Sequence, residues 1–345
     1  MNFNSRFQAN RFLPLLLMGF LFVLFLVQGA SAGGPLAYVA NEEGTISVID
    51  LAALKVVKTL RVGKLASHGL VLSPDGKRLY TGNLDLGSLI VLNADTLKKE
   101  AEVEIGARVH GIDLSPDGRW LFAVGGADPL HVTVVDTASL KVDKQIPYRG
   151  VGPSHMDFTP NGRRAYVANL RSDDITMIDV ARRKVVATIP VGIGPNELRI
   201  SPDGRYAYVA NVLSSELTVV DLAFNKVVAH LPAGKGAHGV AITPDGKEAF
   251  VANRAGGDVW VFDTKSNKVV SKIPTGKGAN HVAITRYGKR VLVSNEAANT
   301  VSVIDTATQQ VVKTIPVGKS PHVIAIGDFS TVPARVGKVL QEGRR

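Results

Sequence analysis

The chain has 345 residues, with 40 lysines and arginines against 30 aspartates and glutamates, so its formal net charge is +10. It contains no cysteine, which excludes disulfide-stapled scaffolds, cysteine-bound zinc, iron–sulfur clusters, thiol nucleophiles and covalently attached c-type haem. Hydrophobic residues make up 45% of the chain and charged residues 20%, a balance that indicates a folded protein. With 34 glycines and 17 prolines, the composition favours many short elements over long helices.

The first 32 residues have the order of a secretory signal peptide. Arg6 and Arg11 precede an apolar stretch from Phe12 to Val27, and the small residues Ala30-Ser-Ala32 follow it. We predict cleavage after Ala32 and a mature chain that is periplasmic or secreted, with no membrane span after signal removal. A membrane anchor is the alternative, but the apolar stretch is short for a span of about 20 residues and no basic stop-transfer cluster follows it.

One unit of about 42 residues recurs along the rest of the chain. Tyr38-Val-Ala-Asn41 returns, with substitutions, in copies that begin at Tyr80, Phe122, Tyr166, Tyr208, Phe250 and Leu292. A turn such as Ser73-Pro-Asp-Gly76 precedes each copy, and an alternating run that ends in an acid, such as Asp50, follows it. Four short period-2 strands per unit are typical of a β-propeller blade. The sequence therefore predicts an all-β, seven-bladed β-propeller of four-stranded antiparallel blades over residues 33–329.

The ends of the repeat region predict how the ring closes. The first unit begins at a second strand, Leu36–Ala40, and the last unit stops after a first strand, His322–Ile326. One blade should therefore take three strands from the N-terminus and its innermost strand from the C-terminus, which hides the sheet edges of an open array. Within each unit, the Asn that ends the second strand and the Asp that ends the third are expected to cap turns by accepting backbone N–H groups. Residues 330–345 form a basic tail with no repeat partner.

These repeats resemble those of the YVTN-type β-propeller repeat proteins. The shared pattern comprises the Ser-Pro-Asp-Gly-Lys/Arg, Tyr-Val-Ala-Asn, Val-Ile-Asp-Thr-Ala and Lys-Val-Val-x-Thr-Ile-Pro-Val-Gly segments, and it covers residues 36–327. The resemblance implies the propeller fold. It leaves the function open, because that family includes surface-layer modules, periplasmic binding proteins and relatives of the haem-d-binding propeller of bacterial nitrite reductases.

Histidines concentrate in two adjacent registers at the start of the predicted innermost strands. Six of the eight histidines of the chain lie there: His68, His110, His155, His238, His281 and His322. One blade carries Asn196 and Glu197 in these registers instead. In a closed ring these residues, which we call the histidine crown, should converge around one mouth of the central channel. Their neutral imidazoles could ligate a metal of unknown identity or provide an axial ligand to haem iron. They could also donate hydrogen bonds to a bound anion. Alternatively, they could be copies of an ancestral histidine that bonds its own hairpin.

Basic residues accompany the crown. The loops that precede the innermost strands carry a cation in six blades: Lys64, Arg108, Arg149, Lys235, Lys277 and Lys319. Solvated loop lysines are common, but together with the imidazoles they would focus positive potential on an anionic ligand. The crown also departs from its own repeat at Glu197 and Arg199, where a copy such as Gly239-Val-Ala241 has glycine and a small residue.

A second resemblance points to tetrapyrroles. Ser154-His-Met-Asp-Phe-Thr-Pro-Asn-Gly162 resembles a segment of the periplasmic propeller protein that works in haem d maturation. His68 and His110 occupy a register similar to that of haem-facing histidines in nitrite reductase propellers. The resemblance implies a haem-d-like cofactor, with lysines or arginines on its carboxylates. It also implies that the axial ligand is one of His68, His110, His155, His238 or His322.

The sequence as a whole favours a monomeric, non-enzymatic binding or scaffold protein. It would serve a periplasmic redox or catabolic system, such as one built around quinone-cofactor dehydrogenases, and bind a protein partner or a small anionic ligand at the crown. A haem-d-like tetrapyrrole carrier or maturation factor is the alternative, and a hydrolase or lyase sited in the channel is a second one. No catalytic residue set, phosphate loop or nucleophile elbow occurs. Aromatic residues are only 6% of the chain, which argues against nucleic acid as a partner.

Overall fold

The computed structural model describes residues 35–63, 66–83, 87–106, 109–125 and 131–327. The predicted signal peptide, the basic tail, Lys64 and Arg108 lie outside these ranges. Strands make up nearly all of the regular structure, as the period-2 alternation predicts. Helical structure in the described ranges is confined to one short 3₁₀ turn, η1 (Glu296–Ala298). None of the helical structure described is long and apolar enough for a membrane crossing.

Each of the seven sheets has four antiparallel strands. The innermost strands are β4 (Ala66–Leu72), β8 (Val109–Leu114), β12 (Pro153–Phe158), β16 (Pro195–Ile200), β20 (Ala237–Ile242), β24 (Ala279–Ile284) and β28 (Pro321–Gly327). The second strands are β1 (Leu36–Asn41), β5 (Arg78–Asn83), β9 (Trp120–Gly125), β13 (Arg164–Asn169), β17 (Tyr206–Asn211), β21 (Glu248–Asn253) and β25 (Arg290–Asn295).

The third strands are β2 (Thr45–Asp50), β6 (Ser88–Asn93), β10 (His131–Asp136), β14 (Asp174–Asp179), β18 (Glu216–Asp221), β22 (Asp258–Asp263) and β26 (Thr300–Asp305). The outermost strands are β3 (Lys55–Arg61), β7 (Lys99–Glu104), β11 (Lys141–Pro147), β15 (Lys184–Pro190), β19 (Lys226–Pro232), β23 (Lys268–Pro274) and β27 (Gln310–Pro316). The outermost strands are largely exposed, and their lysines blunt the open edge of each blade.

The predicted closure of the ring is confirmed. The seam blade has the strand order β28-β1-β2-β3, with Tyr38 opposite Ala325 and Ala37 opposite Ile326 in an antiparallel pair. Its innermost strand comes from the C-terminal end of the repeats and its other three strands from the N-terminal end. The seven-bladed, four-stranded fold predicted from the repeats is the fold of the protein.

The hydrophobic core lies between the blades. Seven clusters of buried side chains each join two adjacent sheets. In one of them, Val39 and Ile49 of the seam blade pack against Leu292 and Val301 of the last blade, so that the ring is continuous across the termini. Burial of apolar surface on both faces of every sheet stabilises the protein in place of disulfides.

The predicted turn roles are confirmed for the Pro-Asp-Gly turn and for the Asp that ends the third strand, but not for the Asn that ends the second strand. Gly76 of the Ser-Pro-Asp-Gly turn has a φ of 73° and donates its N–H to the Ser73 carbonyl at 2.8 Å. At the end of the third strand, Asp50 Oδ1 accepts the N–H groups of Ala52 and Ala53 at 2.8 and 2.9 Å. Both contacts fix the hairpins of the face opposite the crown.

The prediction for the Asn at the end of the second strand was wrong in its chemistry. The Asn41 side chain does not accept a backbone N–H but donates from Nδ2 to the hydroxyl oxygens of Thr45 and Ser47, both at 3.0 Å. It is buried because a glycine of the adjacent loop packs against it, and a Cβ on Gly318 would lie 2.5 Å from Asn41 Nδ2. The repeated Asn thus ties the second strand to the third strand.

Candidate functional site

The histidines of the crown lie near the start of six different innermost strands. A register shift interrupts the pairing of these strands with their neighbours at the crown, for example between Pro153 and Met156 in β12 and between Ala279 and Val282 in β24. A β-bulge of this kind re-aims side chains. It allows the rings of His155 and His281 to contact that of His322, although His322 stands one residue earlier in its repeat.

The six imidazoles form one continuous cluster. The rings of His68 and His322 stack with their centroids 3.9 Å apart, and the His281 centroid lies 4.5 Å from those of both His155 and His322. Two blades stand between the one that carries His155 and the one that carries His281. Their contact therefore spans the channel, which the imidazoles close at this level.

One side of the crown reaches the mouth of the channel. His68 Nε2 lies 3.1 Å from Glu42 Oε1, with side-chain exposures of 24% and 37%. His68 Nδ1 lies 3.0 Å from His110 Nε2, and His110 Nδ1 donates to the Ser154 carbonyl, which can only accept, at 3.1 Å. Burial lowers the pKa of His110 to about 3, so that this ring is neutral. The hydrogen bond from His68 lowers the pKa of Glu42. Both ring nitrogens of His68 and of His110 are thus engaged.

The other side of the crown is buried and contains a second histidine–carboxylate pair. His281 Nδ1 lies 2.8 Å from Glu197 Oε2, and these side chains are only 3% and 2% exposed. Arg199 Nη2 binds Glu197 Oε1 at 2.7 Å, and the Val240 N–H donates to Glu197 Oε2 at 3.3 Å. Burial alone would raise the pKa of Glu197, but Arg199, His281 and Val240 outweigh it and hold this pKa below its ordinary value.

Gly239 makes the buried pair possible. It lies on β20, between the strands that carry Glu197 and His281, and has no side chain to fill the gap. A Cβ at this position would lie 2.5 Å from the Asn280 carbonyl oxygen, 2.8 Å from His281 Cα and 3.1 Å from Glu197 Oε2. The glycine of the repeat therefore lets a carboxylate from one blade reach an imidazole two blades away.

Two further carboxyl groups extend the charged network along the channel. Asp113 on β8 and Asp157 on β12 both interact electrostatically with Arg199. Asp157 Oδ2 accepts the N–H of Ile200 at 2.8 Å. Burial, and next to it the charge of Asp157, raise the pKa of Asp113 to about 8. The raised pKa favours the protonated form of Asp113, beside an arginine that is already paired with Glu197.

The remaining predicted residues are Asn196 and the loop cations, and Asn280 occupies the same strand position in β24 as Asn196 in β16. Asn280 Nδ2 donates to Glu296 Oε2 at 2.7 Å, and Arg254 pairs with the same carboxylate. Asn196 is buried. Four of the predicted cations are exposed, and none of them has an ion-pair partner among the described residues: Arg149, Lys235, Lys277 and Lys319. Whether crown or cations bind a ligand stays a prediction.

Sequence reasoning missed several residues of this mouth and channel. They are Glu42, Asp113, Asp157, Arg254 and Glu296. A signal for three of them existed, because Glu42, Arg254 and Glu296 each directly follow the Asn that ends a second strand, and the loop that begins there belongs to the face of the crown. The two aspartates occupy the register of Arg199, three residues after the first crown register, and the sequence does not distinguish them from the many turn aspartates.

In the described conformation, the crown offers no free axial ligand to a haem at the mouth. Its less buried imidazoles, His68 and His110, use both ring nitrogens, whereas His155, His238, His281 and His322 are buried at 8% exposure or less. A tetrapyrrole is far larger than an imidazole and could lie only above the rings that close the channel. To ligate its iron, His68 would have to release Glu42 or His110.

Comparison with protein families agrees with the fold. A family model described as YNCE-like beta-propeller matches residues 121–248 and 233–331. A model described as Cytochrome D1 heme domain matches residues 21–104. A dihydro-heme d1 dehydrogenase of Pseudomonas aeruginosa is 27% identical over 173 residues, which are 47% of this chain and 34% of that protein. The chain thus spans about a third of the length of this curated relative.

Solved structures share the architecture at low identity. The hydrazine synthase of Kuenenia stuttgartiensis superposes with a TM-score of 0.70 at 22% identity, covering 81% of this chain and 99% of that one. The dihydro-heme d1 dehydrogenase NirN in complex with DHE superposes with a TM-score of 0.64 at 18% identity, covering 84% and 74%. At these identities the likeness concerns the fold alone.

Proposed function

The chain belongs to the YNCE-like β-propeller family, and from this premise we propose that it is an exported, non-enzymatic binding protein that holds a polycarboxylate ligand over the histidine crown. The observation that carries the proposal is the set of exposed cations on the loops of that mouth. Arg149, Lys235, Lys277 and Lys319 have no ion-pair partner among the described residues, so their charge is available to a ligand.

The fold supports a ligand that sits on the mouth and not inside the channel. Each of these cations lies in a loop that leads into an innermost strand, and the innermost strands surround the channel. The imidazoles close the channel below and form the floor of the site. Cations from several blades can therefore converge on different carboxylates of one ligand, and guanidinium and ammonium groups form strong charge-assisted hydrogen bonds with carboxylates.

The cellular role that we propose is accessory to a periplasmic redox or catabolic system. Export rests on the order of basic, apolar and small residues in the first 32 positions. N-terminal sequencing of the protein recovered from the periplasm should begin at Gly33. An N-terminus that still carries the apolar stretch would mean an anchored protein.

A titration with a metal-free porphyrin that carries several carboxylates tests the mouth. The Soret band of this probe should shift on binding to the intact protein. A variant with Arg149, Lys235, Lys277 and Lys319 changed to Gln should bind about tenfold or more weakly, and added salt should weaken binding by the intact protein. The matched control changes Lys141, Lys184, Lys226 and Lys268, at the exposed starts of outermost strands, to Gln. Equal loss in both variants, or no binding to the intact protein, would contradict the proposal.

A haem-d-like tetrapyrrole carrier or maturation factor is the second candidate. The match to the Cytochrome D1 heme domain and the likeness to a dihydro-heme d1 dehydrogenase favour it. It requires that His68 exchange its bond to Glu42 or His110 for a bond to iron. Haemin should then bind more tightly than the metal-free porphyrin, with a Soret shift that His68→Ala removes. Equal affinity for both porphyrins and an unchanged spectrum of His68→Ala would reject iron ligation.

A further inference from the structure

Three of the crown histidines lie close together in the buried part of the crown. They are His155 on β12, His281 on β24 and His322 on β28. One ring nitrogen of each lies within 4.8 Å of one from each of the others. The exposed fraction is 8% for His155, 2% for His281 and 4% for His322. Because they come from three separate blades, this arrangement is a product of the closed ring and not of any local hairpin.

Each of these rings has a buried nitrogen with no hydrogen-bond partner among the described residues. The atoms are Nε2 of His155, Nε2 of His281 and Nδ1 of His322. Buried polar atoms in native proteins are almost always paired. Three buried imidazoles that lie together and each have an unpaired nitrogen therefore indicate that something else binds them, and an imidazole nitrogen that carries no hydrogen is a preferred ligand of transition metals. His238 Nδ1 is also unpaired, but His238 does not belong to this group of three.

The Glu197 carboxylate sets the orientation of one of these rings. It accepts a hydrogen bond from His281 Nδ1 at 2.8 Å, so that in the neutral ring the lone pair is on Nε2. Arg199 and the Val240 N–H hold the carboxylate from its other side. Histidines that bind metals commonly donate their second N–H to a carboxylate in this way, which fixes the tautomer and raises the basicity of the ligand nitrogen.

We propose that His155, His281 and His322 form a binding site for a divalent first-row transition-metal ion, with Glu197 as the residue that positions His281. In a tetrahedral site, metal–nitrogen distances of about 2.0–2.1 Å place the nitrogens about 3.3 Å apart. The ligand atoms, which lie within 4.8 Å of one another in the structure, would approach to this distance when the metal binds. Three imidazoles leave a coordination position for water or another ligand.

A rival set shares one histidine with this site. Glu42, His68 and His322 also place ligand atoms within 4.8 Å of one another. Glu42 and His68, however, already bind each other at 3.1 Å and are partly exposed. Unpaired nitrogens and an orienting carboxylate distinguish the set of His155, His281 and His322, so we place the metal there. The site lies below the mouth and does not depend on the proposed polycarboxylate ligand.

The test is metal binding by the untagged full-length chain after treatment with a chelator. In equilibrium dialysis, Zn²⁺ should bind as a single ion per chain. His155→Ala, His281→Ala and His322→Ala should each weaken binding about 100-fold or more, and Glu197→Gln about 10–100-fold. Glu42→Gln and His230→Ala are the controls and should keep the affinity of the intact protein.

A spectroscopic measurement on the intact protein keeps the test valid if a variant does not fold. Cu²⁺ should give an electron paramagnetic resonance signal with hyperfine splitting from three nitrogens, without any porphyrin present. Absence of a stoichiometric ion, a signal without nitrogen splitting, or loss of binding in Glu42→Gln but not in His281→Ala would overturn the proposal. A buried water cluster would then account for the unpaired nitrogens. None of these results depends on the porphyrin titration, so failure of either proposal leaves the other standing.

Discussion

The crown contains the same chemical pair twice, in two different settings. His68 and Glu42 lie 3.1 Å apart at the mouth, with side-chain exposures of 24% and 37%. His281 and Glu197 lie 2.8 Å apart in the channel, with exposures of 3% and 2%, and Arg199 neutralises the carboxylate. Water and salt screen the first pair, whereas the second must be satisfied by the protein alone. The difference shows that burial and the third partner decide what a histidine–carboxylate contact can do.

The two settings also separate two tasks. At the mouth, both nitrogens of His68 are engaged and its ring is partly open to solvent, so the pair suits electrostatic contact with a ligand. In the channel, one nitrogen of His281 is fixed by Glu197 and the other has no partner among the described residues, so the pair suits ligation. The predictions that follow test this division.

Deletion of residues 320–345 should have the largest effect, because it removes β28 and with it His322, whose ring contacts both His68 and His281. The seam blade would lose its innermost strand, and we expect no cooperative thermal unfolding by circular dichroism. Deletion of only residues 332–345 is the control and should leave the transition intact. A cooperative transition after the longer deletion would contradict the strand assignment at the seam.

Removal of Glu197 or of Glu42 shows how much stability each histidine–carboxylate pair contributes. Glu197→Ala removes a buried carboxylate that binds Arg199, His281 and the Val240 N–H, and it should lower the free energy of unfolding by about 1.5–3 kcal/mol. Glu42→Ala should change it by less than about 1 kcal/mol, as exposed ion pairs generally do. Denaturant titration gives both values. If the two variants lost equal stability, burial would not distinguish the pairs.

Addition of one methyl group tests the gap through which Glu197 reaches His281. Gly239→Ala should destabilise the protein by about 1–3 kcal/mol and weaken metal binding, because the new Cβ meets the Asn280 carbonyl, His281 Cα and Glu197 Oε2. Gly69→Ala is the matched control in the same register of β4. Its Cβ would lie 2.8 Å from Ile112 Cγ1, so it should lose stability but keep the metal. Equal metal affinity in both variants would show that the gap is not needed.

The pH dependence of stability should reveal the buried side of the network. The pKa of Asp113 is raised to about 8, so the folded state keeps a proton that the unfolded state releases. The stability that this proton contributes is full below the ordinary pKa of aspartate and is lost as pH rises to about 8, at up to about 1.4 kcal/mol per pH unit. Asp113→Asn should flatten the decline between about pH 5 and 8.

The control for this measurement is Asp245→Asn at an exposed turn, where the bond from Thr243 first of all lowers the pKa to about 2. The contribution of Asp245 is present above the ordinary pKa of aspartate and is lost only as pH falls towards 2, so its removal should not alter the slope between about pH 5 and 8. If the Asp113→Asn variant kept the wild-type slope of stability against pH, Asp113 would be excluded as the source of that slope.

The repeats alone predicted the number of blades, the order of strands and the seam, because every copy of Tyr-Val-Ala-Asn reports the same strand in the same place. They also predicted that the histidines share one end of the innermost strands. They could not predict the contact between Glu197 and His281, which are 84 residues apart. That contact depends on ring closure, on the bulges and on the missing side chain of Gly239.

The roles of single polar groups were also beyond the sequence. Asn41 could equally accept or donate hydrogen bonds, and only the packing against Gly318 decides that it donates to Thr45 and Ser47. Asp113 looks like any other aspartate in the sequence, and its raised pKa comes from burial beside Asp157. Such properties arise from distances between strands of different blades, which periodicity does not specify.

The central claim is that Glu197 fixes the His281 ring with its hydrogen on Nδ1 and its lone pair on Nε2, where it is free to bind a metal. Nitrogen-15 NMR of the imidazole side chains in the metal-free protein, at about pH 8, measures this directly. The account predicts that neutral His281 carries its hydrogen on Nδ1, and that Glu197→Gln weakens this preference. A His281 ring with its hydrogen on Nε2 in the intact protein would contradict the account.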